Sequence, residues 1–450
     1  MVRTEVASDG RMVRLNLTSF GRPHMRAFHM AWVAFFIAFF SWFGIAPLMA
    51  VIRDDLGLTK DQVANTVIAS VTGTIAARLL VGWLLDRIGP RRTYTGLLIL
   101  GAFPVMLVGL ADSYETFLLF RLAIGVIGAS FVITQYHTSV MFAPNVIGFA
   151  NATAAGWGNL GGGVTQMAMP LVLAAVVAVA GVSEAVGWRV AMVFPGLALL
   201  TMGFVYYYLT QDTPDGNFED RQAVGRRSSA SRGSFAAALR DHRVWALFFI
   251  YGACFGLEVT IDNIAALYFH DTFGLSLGAA GVAAGLFGCM NLFARALGGF
   301  ISDRAGIRFG LKGRVWFLGG ALFLEGVFLL VFSQMEVLVL AICSMMVFGL
   351  FVKMSNGATY SVVPFVNRKA LGAVAGIVGA GGNAGAVAAG FLFKLEGFDT
   401  QRVLALLGIV VICISCLVSA VRFSARDEVR QRTAVRAAIT VRAARVAAAD

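Results

Sequence analysis

The chain has 450 residues, of which 58% are hydrophobic and 14% are charged, and its formal net charge at pH 7 is +11. So much apolar surface exceeds the needs of one soluble core of this length, and this excludes an ordinary water-soluble domain. The composition predicts an integral membrane protein.

Twelve apolar runs are each long enough to cross a hydrocarbon core of about 30 Å as a helix. Their continuous hydropathy favours helices over a membrane β-barrel, whose strands alternate between apolar and polar residues. We therefore predict an all-α membrane protein with twelve transmembrane helices. The predicted spans cover, in order, residues 29–52, 63–86, 94–112, 116–142, 148–181, 187–209, 243–269, 277–302, 314–333, 336–363, 371–395 and 403–422.

The 36 Lys and Arg residues are distributed unevenly between the two sides that these spans define. With both termini in the cytoplasm, and with basic residues at the span ends counted with the adjoining loops, the inside segments carry 27 of them, the outside loops carry 5 and the interiors of the spans carry 4. This positive-inside pattern predicts a multi-pass protein of the cytoplasmic membrane with both termini inside. The basic excess is explained by topology and by anionic lipid headgroups, so no nucleic-acid partner is predicted.

One long polar stretch, rich in Asp, Arg, Ser and Gly, separates spans 6 and 7. It divides the chain into two six-helix halves. We predict a cytoplasmic N-terminal segment (1–28), two bundles (29–210 and 244–423), a cytoplasmic linker (211–243) and a basic cytoplasmic tail (424–450). The tail is interpreted either as a basic helix along the membrane surface or as a disordered segment. We expect the protein to be a monomer.

The same charged motif occurs once in each half. RLLVGWLLDRIGPR begins at Arg78, and RALGGFISDRAGIR begins at Arg295. If the Asp-Arg pair marks a helix end, each leading arginine lies about 12 Å into the bilayer. An arginine there costs about 2.5–3.5 kcal/mol on insertion scales, so the matched pair predicts an anion held between them. Two parallel repeats with a mid-membrane site are typical of many secondary transporters.

The remaining residues that the two motif copies share are predicted to act in gating rather than in substrate contact. Their glycines permit close helix approach and a tight turn. Their aspartates can cap an adjacent helix or pair with arginines. The predicted gating residues are Gly82, Asp86, Arg87, Arg91, Gly299, Asp303, Arg304 and Arg308.

Three ionisable side chains in the spans are candidates for coupling transport to protons. Glu258 and Asp262 are four residues apart on span 7, so they share a helix face. Apolar surroundings would allow one of these carboxyl groups to bind a proton, and Glu258 is preferred. Lys353 of span 10 is the third candidate, with snorkelling as its alternative role.

Two further titratable residues of the spans are candidates for the same coupling. They are Glu325 of span 9, with pairing to Lys353 or to another cation as its alternative role, and His137 near the inner end of span 4. No ATP-binding or catalytic motif is evident, so we predict no enzyme activity, no cofactor and no metal. The cysteines all fall within predicted spans, where they are interpreted as small core residues rather than a disulfide frame or metal site.

Two glycine-rich stretches each carry one asparagine: AAGWGNLGGGVTQ in span 5 and GAGGNAGAVAAG in span 11. Together with IRDDLGLTK, FGLEVTIDN, LFARALGGFISDR and VVPFVNRKALG, they resemble the nitrate/nitrite porter family, the NarK/NasA type, of the major facilitator superfamily. The resemblance runs nearly end to end, and it implies two pseudo-symmetric six-helix bundles. The span-5 string does not fit the usual motif of drug/proton antiporters in that superfamily.

The resemblance also implies which residues bind the anion. In that family, the arginines of spans 2 and 8 clasp nitrate, and these fall on Arg78 and Arg295. Guanidinium groups can donate paired hydrogen bonds to this planar anion, and flat rings exclude water. An amide can donate one further hydrogen bond. The other implied binding residues are Tyr251, Phe255, Phe131, Asn159 and, as the matching amide of span 11, Asn383.

Each of these residues has an alternative structural role. The arginines can pair with Glu258 or Asp262, the rings can pack as core residues, and the amides can join helices. Arg121 of span 4 resembles a motif of proton-coupled members of the superfamily, with structural pairing at the helix end as the alternative.

The implied function is transport of nitrate, and also of nitrite, by alternating access. Proton symport is favoured, and nitrate/nitrite antiport is the main alternative. Transport of an organic anion is a more distant possibility. A membrane nitrate sensor is another, with residues 211–243 or the tail as its signalling surface.

Overall fold

The computed structural model describes residues 6–7, 9–223, 234–275, 277–393 and 399–446. Part of the predicted linker, residues 224–233, lies outside the described residues, as do the first and last few residues of the chain. The described chain is almost entirely helical, which confirms the predicted all-α class.

Twelve spans build the bundle, and several consist of two consecutive helices. In chain order they are Pro23–Phe43; the two parts of Lys60–Leu107 on either side of Gly89; Tyr114–Gly125 with Ser130–Met141; Ile147–Ala180; Glu184–Ala191 with Val193–Leu209; His242–Phe273; Leu277–Cys289 with Ala294–Phe309; Leu311–Ser333; Leu338–Val366; Leu371–Leu392; and Thr400–Ser415. Helices outside the spans are Met49–Leu56, Phe218–Ala223, Ser234–Leu239 and Ala425–Val446.

The number of spans depends on how two irregular helices are divided. By length and apolarity, ten helices of the described chain can cross a membrane, and the bent pair Ile147–Thr165 and Ala168–Ala180 is an eleventh. The helix Lys60–Leu107 has 48 residues, about 72 Å at 1.5 Å per residue, more than twice the hydrocarbon thickness. Gly89 interrupts it with a φ of 80° and a ψ of 166°, a conformation that suits glycine. Divided there, the spans number twelve, as predicted.

The prediction that each Asp-Arg pair marks a helix end is confirmed for the first pair and wrong for the second. The first helix ends at residue 88, one residue after Arg87, whereas the second continues past Arg304 to Phe309. Arg78 therefore lies ten residues, or about 15 Å, from the end of its helix, which is half the thickness of the hydrocarbon core. Arg295 lies fourteen residues, or about 21 Å, from the end of its helix at Phe309.

Span 1 begins at Pro23 rather than at the predicted residue 29. Proline suits the first helical turn, where its missing N–H would have no partner in any case. The first turns also bury Met25 and Phe28, so packing extends the helix beyond the apolar run that was read from the sequence.

The segments predicted to lie inside the cell contact one another on one end of the bundle. The Asp212 carboxylate, after span 6, accepts hydrogen bonds from the backbone N–H groups of Arg91 (2.8 Å) and Phe218 (3.0 Å). Burial raises the pKa of this carboxyl, and the two backbone donors partly offset that effect. The N-terminal segment pairs with the end of span 4, because Met12 N donates to Met141 O at 3.0 Å. We call this end of the bundle the basic face.

The tail is a helix over Ala425–Val446, so the prediction of a disordered segment is wrong for these residues. The Glu428 carboxylate accepts hydrogen bonds from the N–H groups of Leu311 and Lys312, both at 2.9 Å, and so caps the start of span 9. Ala438 is buried in a small cluster with Val13. Capping and burial hold the tail against the basic face.

Candidate functional site

Arg78 and Arg295 carry buried guanidinium groups at the interface between the halves, with 0% and 1% of their surfaces exposed. Their Cζ atoms lie 5.3 and 5.9 Å from the centroid of the same ring, that of Phe255. The two Cζ atoms are therefore separated by no more than the sum of these distances, about 11 Å. The structure thus brings together the two arginines that the sequence repeat singled out.

The three predicted aromatic residues form one stack beside the arginines. Tyr251 and Phe255, one turn apart on span 7, have centroids 5.2 Å apart and an interplanar angle of 5°. Phe131 of span 4 faces them at 5.7 and 6.1 Å, with angles of 13° and 18°. Flat rings from both halves therefore meet at this point, and the Arg78 Cζ also lies 5.3 Å from the Phe131 centroid.

Tyr360 is a member of the site that the sequence analysis missed. Its ring meets Phe131 and Tyr251 edge-on, at centroid distances of 4.8 and 5.0 Å. Its hydroxyl donates to the Ala375 carbonyl oxygen at 3.1 Å. The sequence shows only a tyrosine among small and polar residues of span 10, and these residues follow no periodic pattern.

Arg78 is held by backbone carbonyl groups and not by an acid. Its Nε donates to Gly128 O at 3.3 Å, and its Nη1 donates to Gly379 O. No carboxylate among the described residues forms an ion pair with it, so the alternative of structural pairing with an acid is wrong for Arg78. Carbonyl oxygens orient the guanidinium group but do not neutralise its charge.

Arg295, in contrast, has an acid partner. Its Nη2 donates to Glu258 Oε2 at 2.5 Å. With its amide oxygen turned toward the guanidinium group, Asn159 accepts from Arg295 Nη1 at 2.9 Å and from Nη2 at 3.1 Å. This orientation is assigned from hydrogen bonding, because the reverse one would place donors against donors. Asn159 thereby links the N-terminal half to Arg295.

Glu258 lies in a polar network, so the expectation of apolar surroundings is wrong. Besides Arg295, its carboxylate accepts from Lys353 Nζ at 2.9 Å, from Asn291 Nδ2 at 2.8 Å and from Asn356 Nδ2 at 2.6 Å. Two cations and two amides thus stabilise the ionised carboxylate.

The other two coupling candidates have different environments. Asp262, one turn beyond Glu258, is exposed, so the shared helix face does not give the two carboxyl groups the same environment. Lys353 does not snorkel, because it is fully buried and its Nζ lies 4.1 Å from the centroid of Phe287.

Three further ionisable residues have surroundings that the sequence did not specify. Glu325 forms no ion pair among the described residues, so its alternative role of pairing with a cation is wrong. Both ring nitrogens of His137 are engaged, with Tyr206 Oη at 2.5 Å and with Gln211 O at 2.8 Å. Arg121 is buried with Nε and Nη1 unbonded, and no acid of the described chain pairs with it at the helix end.

Buried hydrogen-bond donors without partners collect around the arginines and the rings. They are Arg78 Nη2, Arg295 Nε, the Tyr251 hydroxyl and Asn383 Nδ2. Asn383 follows Gly382, at which an added Cβ would lie 2.6 and 2.8 Å from the rings of Phe255 and Tyr251. Most buried polar groups in proteins have a hydrogen-bond partner. This group of unpaired donors therefore indicates a binding site for a molecule with acceptor atoms.

The two motif aspartates each cap a helix of the opposite half. Asp86 accepts from the N–H groups of Gly372 (2.9 Å) and Ala373 (3.1 Å) at the start of span 11. Asp303 accepts from the N–H groups of Gly148 (3.0 Å) and Phe149 (2.7 Å) at the start of span 5. The predicted capping by both aspartates is confirmed, and it places two pseudo-symmetric contacts between the halves near the basic face.

The motif arginines stack on rings instead of pairing with the motif aspartates. Asp303 pairs instead with Arg314 Nη1, at 2.6 Å, from span 9. The stacked pairs, with the distance from the Cζ atom to the ring centroid, are Arg87 on Trp83 (3.8 Å), Arg91 on Tyr207 (4.0 Å), Arg304 on Phe300 (4.8 Å) and Arg308 on Phe309 (5.3 Å).

The motif glycines allow the two halves to touch through their backbones. A Cβ atom on Gly82 would lie 2.5 Å from Gly372 O, and one on Gly299 would lie 2.2 Å from Gly148 O. These approaches leave no room for any side chain, so the predicted close helix approach is confirmed at both positions.

Comparisons with known proteins agree with this architecture. The family model of the Major Facilitator Superfamily matches residues 31–390. High affinity nitrate transporter 2.7 of Arabidopsis thaliana is 39% identical, over 93% of this chain and 87% of its own length. Nitrate/nitrite transporter NrtP of Nostoc punctiforme is 28% identical, over 85% of this chain and 90% of its own.

A solved structure shares the fold. The proton:xylose symporter XylE superposes with a TM-score of 0.67 over 88% of this chain and 94% of its own, at 15% sequence identity. At that identity, the likeness concerns the fold alone.

Proposed function

The chain belongs to the nitrate/nitrite porter family of the major facilitator superfamily, and from this premise we propose that it carries nitrate, and also nitrite, across the cytoplasmic membrane by alternating access. It is a transporter and not an enzyme. The observation that supports the substrate most directly is the group of unbonded buried donors between two arginines. Nitrate offers three acceptor oxygens in one plane and a single negative charge, which matches donors without acceptors.

We place the anion between Arg78, Arg295 and the aromatic rings. Arg78 Nη2 and Arg295 Nε each have a free N–H to donate, and the Tyr251 hydroxyl and Asn383 Nδ2 can add two further hydrogen bonds. A flat anion between parallel rings needs about 7 Å, because each face requires a contact of about 3.5 Å. Phe131 lies 5.7 and 6.1 Å from the two rings of span 7, so binding separates these rings by about 1 Å.

Substrate binding also reorganises the contacts of Arg295. The anion competes with Glu258 and Asn159 for the same guanidinium group. Its charge compensates for the loss of the carboxylate contact, because one anion replaces another beside the cation. Asn159, released from Arg295, can then turn its NH₂ group toward a nitrate oxygen.

The two bundles, residues 29–210 and 244–423, rock about this site. The aspartate caps at Gly372 and Gly148 hold the basic face closed, and we assign that face to the cytoplasm from its charge. The described state is therefore closed toward the cytoplasm. Filling the site with an anion removes part of the repulsion between Arg78 and Arg295, which lowers the barrier to rocking.

We favour proton symport, and nitrate/nitrite antiport is the second candidate. The competition between Glu258 and the anion for Arg295 supports symport, because it connects a carboxyl group to substrate binding. The four donors around Glu258 favour antiport, because they keep the carboxylate ionised without any need for a proton. The same pair of arginines serves both modes. We expect a monomer in contact with anionic lipid through its basic face.

The test is nitrate flux through the purified protein in proteoliposomes. Nitrate-for-nitrate exchange is expected for the wild type and for the control Arg53→Lys, whose side chain is exposed. Arg78→Lys and Arg295→Lys are expected to reduce exchange to the level of empty liposomes, since an ammonium group cannot reproduce the paired donors. Uptake driven by an imposed pH gradient identifies symport, and uptake that requires internal nitrite identifies antiport. A wild-type protein that binds nitrate without moving it would instead be a sensor.

A further inference from the structure

Glu325 is a fully buried carboxyl group near the middle of span 9, and no cation of the described residues pairs with either of its oxygens. The residue lies about 21 Å from the start of the helix at Leu311 and about 12 Å from its end at Ser333, at 1.5 Å per residue. It is therefore within the hydrocarbon region. An ionised carboxylate at such a position requires a cation or several donors. Because it has neither among the described residues, burial favours the neutral, protonated form of this group.

Among the described residues, no cation interacts with Glu325. Span 10 places the Ser355 hydroxyl beside it, a neutral group that can hydrogen-bond to the carboxyl group in either form. Span 7 provides the two ionisable groups that act on it, Glu258 and Cys254. Span 12 contributes apolar contacts, because Gly408 and Ile412 pack against the neighbouring Gly326. Glu325 is thus adjacent to the acid that binds Arg295, but it is not part of that ion-pair network.

The charges of the buried side chains around the two arginines explain why a carboxyl group that can gain and lose a proton is useful here. Arg78, Arg295 and Lys353 are buried cations, and among the described residues Glu258 forms ion pairs with the last two, so these four side chains carry a net charge of about +2 when Glu325 is protonated. A bound nitrate reduces this charge to +1. Loss of the proton from Glu325 in the empty protein gives the same +1. The anion and the ionised Glu325 can therefore replace each other in the charge balance.

We propose that Glu325 is a proton-binding site of the transport cycle, protonated while nitrate is bound and ionised while the empty protein returns. This inference rests on the proposed nitrate transport and deepens its coupling. The carboxyl group takes one proton from the outer solution before the anion binds, and it releases that proton to the cytoplasm after the anion has left. On the return step, the ionised Glu325 shares Arg295 and Lys353 with the adjacent Glu258.

The experiment compares exchange with pH-driven accumulation in the same proteoliposomes. Glu325→Gln imitates the protonated residue, so we expect nitrate exchange at equal pH to continue within about twofold of wild type. Accumulation driven by a pH gradient is expected to be lost. One proton per nitrate sustains about tenfold accumulation per pH unit at zero membrane potential, since one pH unit is a factor of ten in proton activity. The control is Glu336→Gln, an exposed acid after the same helix, which should keep both activities.

The outcomes separate this inference from the proposed function. If the wild type shows no nitrate exchange, the proposed function fails. If the wild type exchanges nitrate and Glu325→Gln still accumulates it against a pH gradient, the proposed role of Glu325 is wrong. It is also wrong if Glu325→Gln loses exchange although its melting temperature shows that the protein is folded. With a neutral residue at this position, the nitrate-bound protein should still change between its two states.

A second measurement keeps the inference testable if the glutamine variant does not fold. Infrared spectra of the empty wild-type protein should contain the carbonyl band of a protonated carboxyl group at neutral pH. The band should weaken in Glu325→Met, which preserves size and apolar packing. Absence of a protonated carboxyl band from the wild type would overturn the proposal.

Discussion

Arg78 and Arg295 contact the same phenyl ring, that of Phe255, although they belong to different halves of the chain. Arg78 is held only by carbonyl oxygens, whereas Arg295 is held by Glu258. The two arginines are therefore related by the sequence repeat but differ in their electrostatic surroundings. This asymmetry leads us to expect different consequences when each is changed.

Arg78→Lys should weaken nitrate binding with little loss of stability, whereas Arg295→Lys should reduce both. A hydrogen bond to a charged group contributes about 1.5–3 kcal/mol, so the loss of one donor to the anion should raise the dissociation constant about 10- to 100-fold. Arg78→Lys should leave the melting temperature nearly unchanged, because Arg78 has no ion pair to lose. Arg295→Lys should lower both affinity and melting temperature. Equilibrium nitrate binding and thermal unfolding of the purified variants measure both effects.

Tyr251→Phe should weaken nitrate binding without destabilising the empty protein. The Tyr251 hydroxyl is buried and has no hydrogen-bond partner, so its removal relieves an unfavourable burial. If the hydroxyl donates to the anion, its loss costs about 1 kcal/mol, or about fivefold in affinity. An unchanged dissociation constant would remove Tyr251 from the site. Tyr208→Phe is the control, because that tyrosine is 77% exposed and is not part of the aromatic stack.

Gly82→Ala and Gly299→Ala should block closure of the basic face. The added Cβ would meet Gly372 O at 2.5 Å or Gly148 O at 2.2 Å, and backbone atoms cannot move aside. Overpacking of this kind costs about 1–3 kcal/mol, so transport should fall by about fivefold or more. Gly96→Ala is the control, because an added Cβ there meets nothing within 4 Å. Equal exchange rates for Gly82→Ala and Gly96→Ala would contradict the expected role of this contact.

Asp86→Ala should favour the state that is open on the basic face. It removes the acceptor for Gly372 and Ala373, and a helix cap contributes about 0.5–2 kcal/mol. The accessible population should therefore rise by about two- to thirtyfold. The measurement is the alkylation rate of a cysteine introduced at the buried Ala375. A rate that does not change would show that this cap does not hold the face closed.

Glu258→Gln should be strongly destabilising, because it leaves Arg295 and Lys353 as buried charges without their acid. Breaking a buried ion pair by removing one partner typically costs about 3–5 kcal/mol. The double variant Glu258→Gln with Lys353→Met should recover part of the lost stability, since it removes one unpaired cation. If the double variant is less stable than the single variant, the ion pair between Glu258 and Lys353 is not the source of the effect.

The sequence predicted the arginines and the helix contacts because these depend on local patterns and on repetition. Arg78 and Arg295 are recognisable from matched motifs, and the capping by Asp86 and Asp303 follows from the same repeat. The partners of Glu258 were not predictable in this way. Asn291, Lys353 and Asn356 lie on two other spans, and nearly uniform apolar sequences do not reveal which face of a helix points toward the centre.

Two other differences have the same physical origin. Pairing with a cation was the alternative role for Glu325, but the fold places it beside Ser355 of span 10. The sequence did not decide whether the tail is a helix or disordered. The contact that holds it, between Glu428 and the N–H of Leu311 at the start of span 9, joins residues that are far apart in the chain. Contacts between distant helices decide both outcomes, and no local sequence pattern encodes them.

The most direct test of the central claim is a structure of the protein determined with nitrate bound. We predict a planar anion within hydrogen-bond distance of both Arg78 and Arg295, with Phe131 moved away from the span-7 rings to a separation of about 7 Å. Nitrate bound outside this aromatic stack, with the contact between Arg295 and Glu258 intact, would contradict the account.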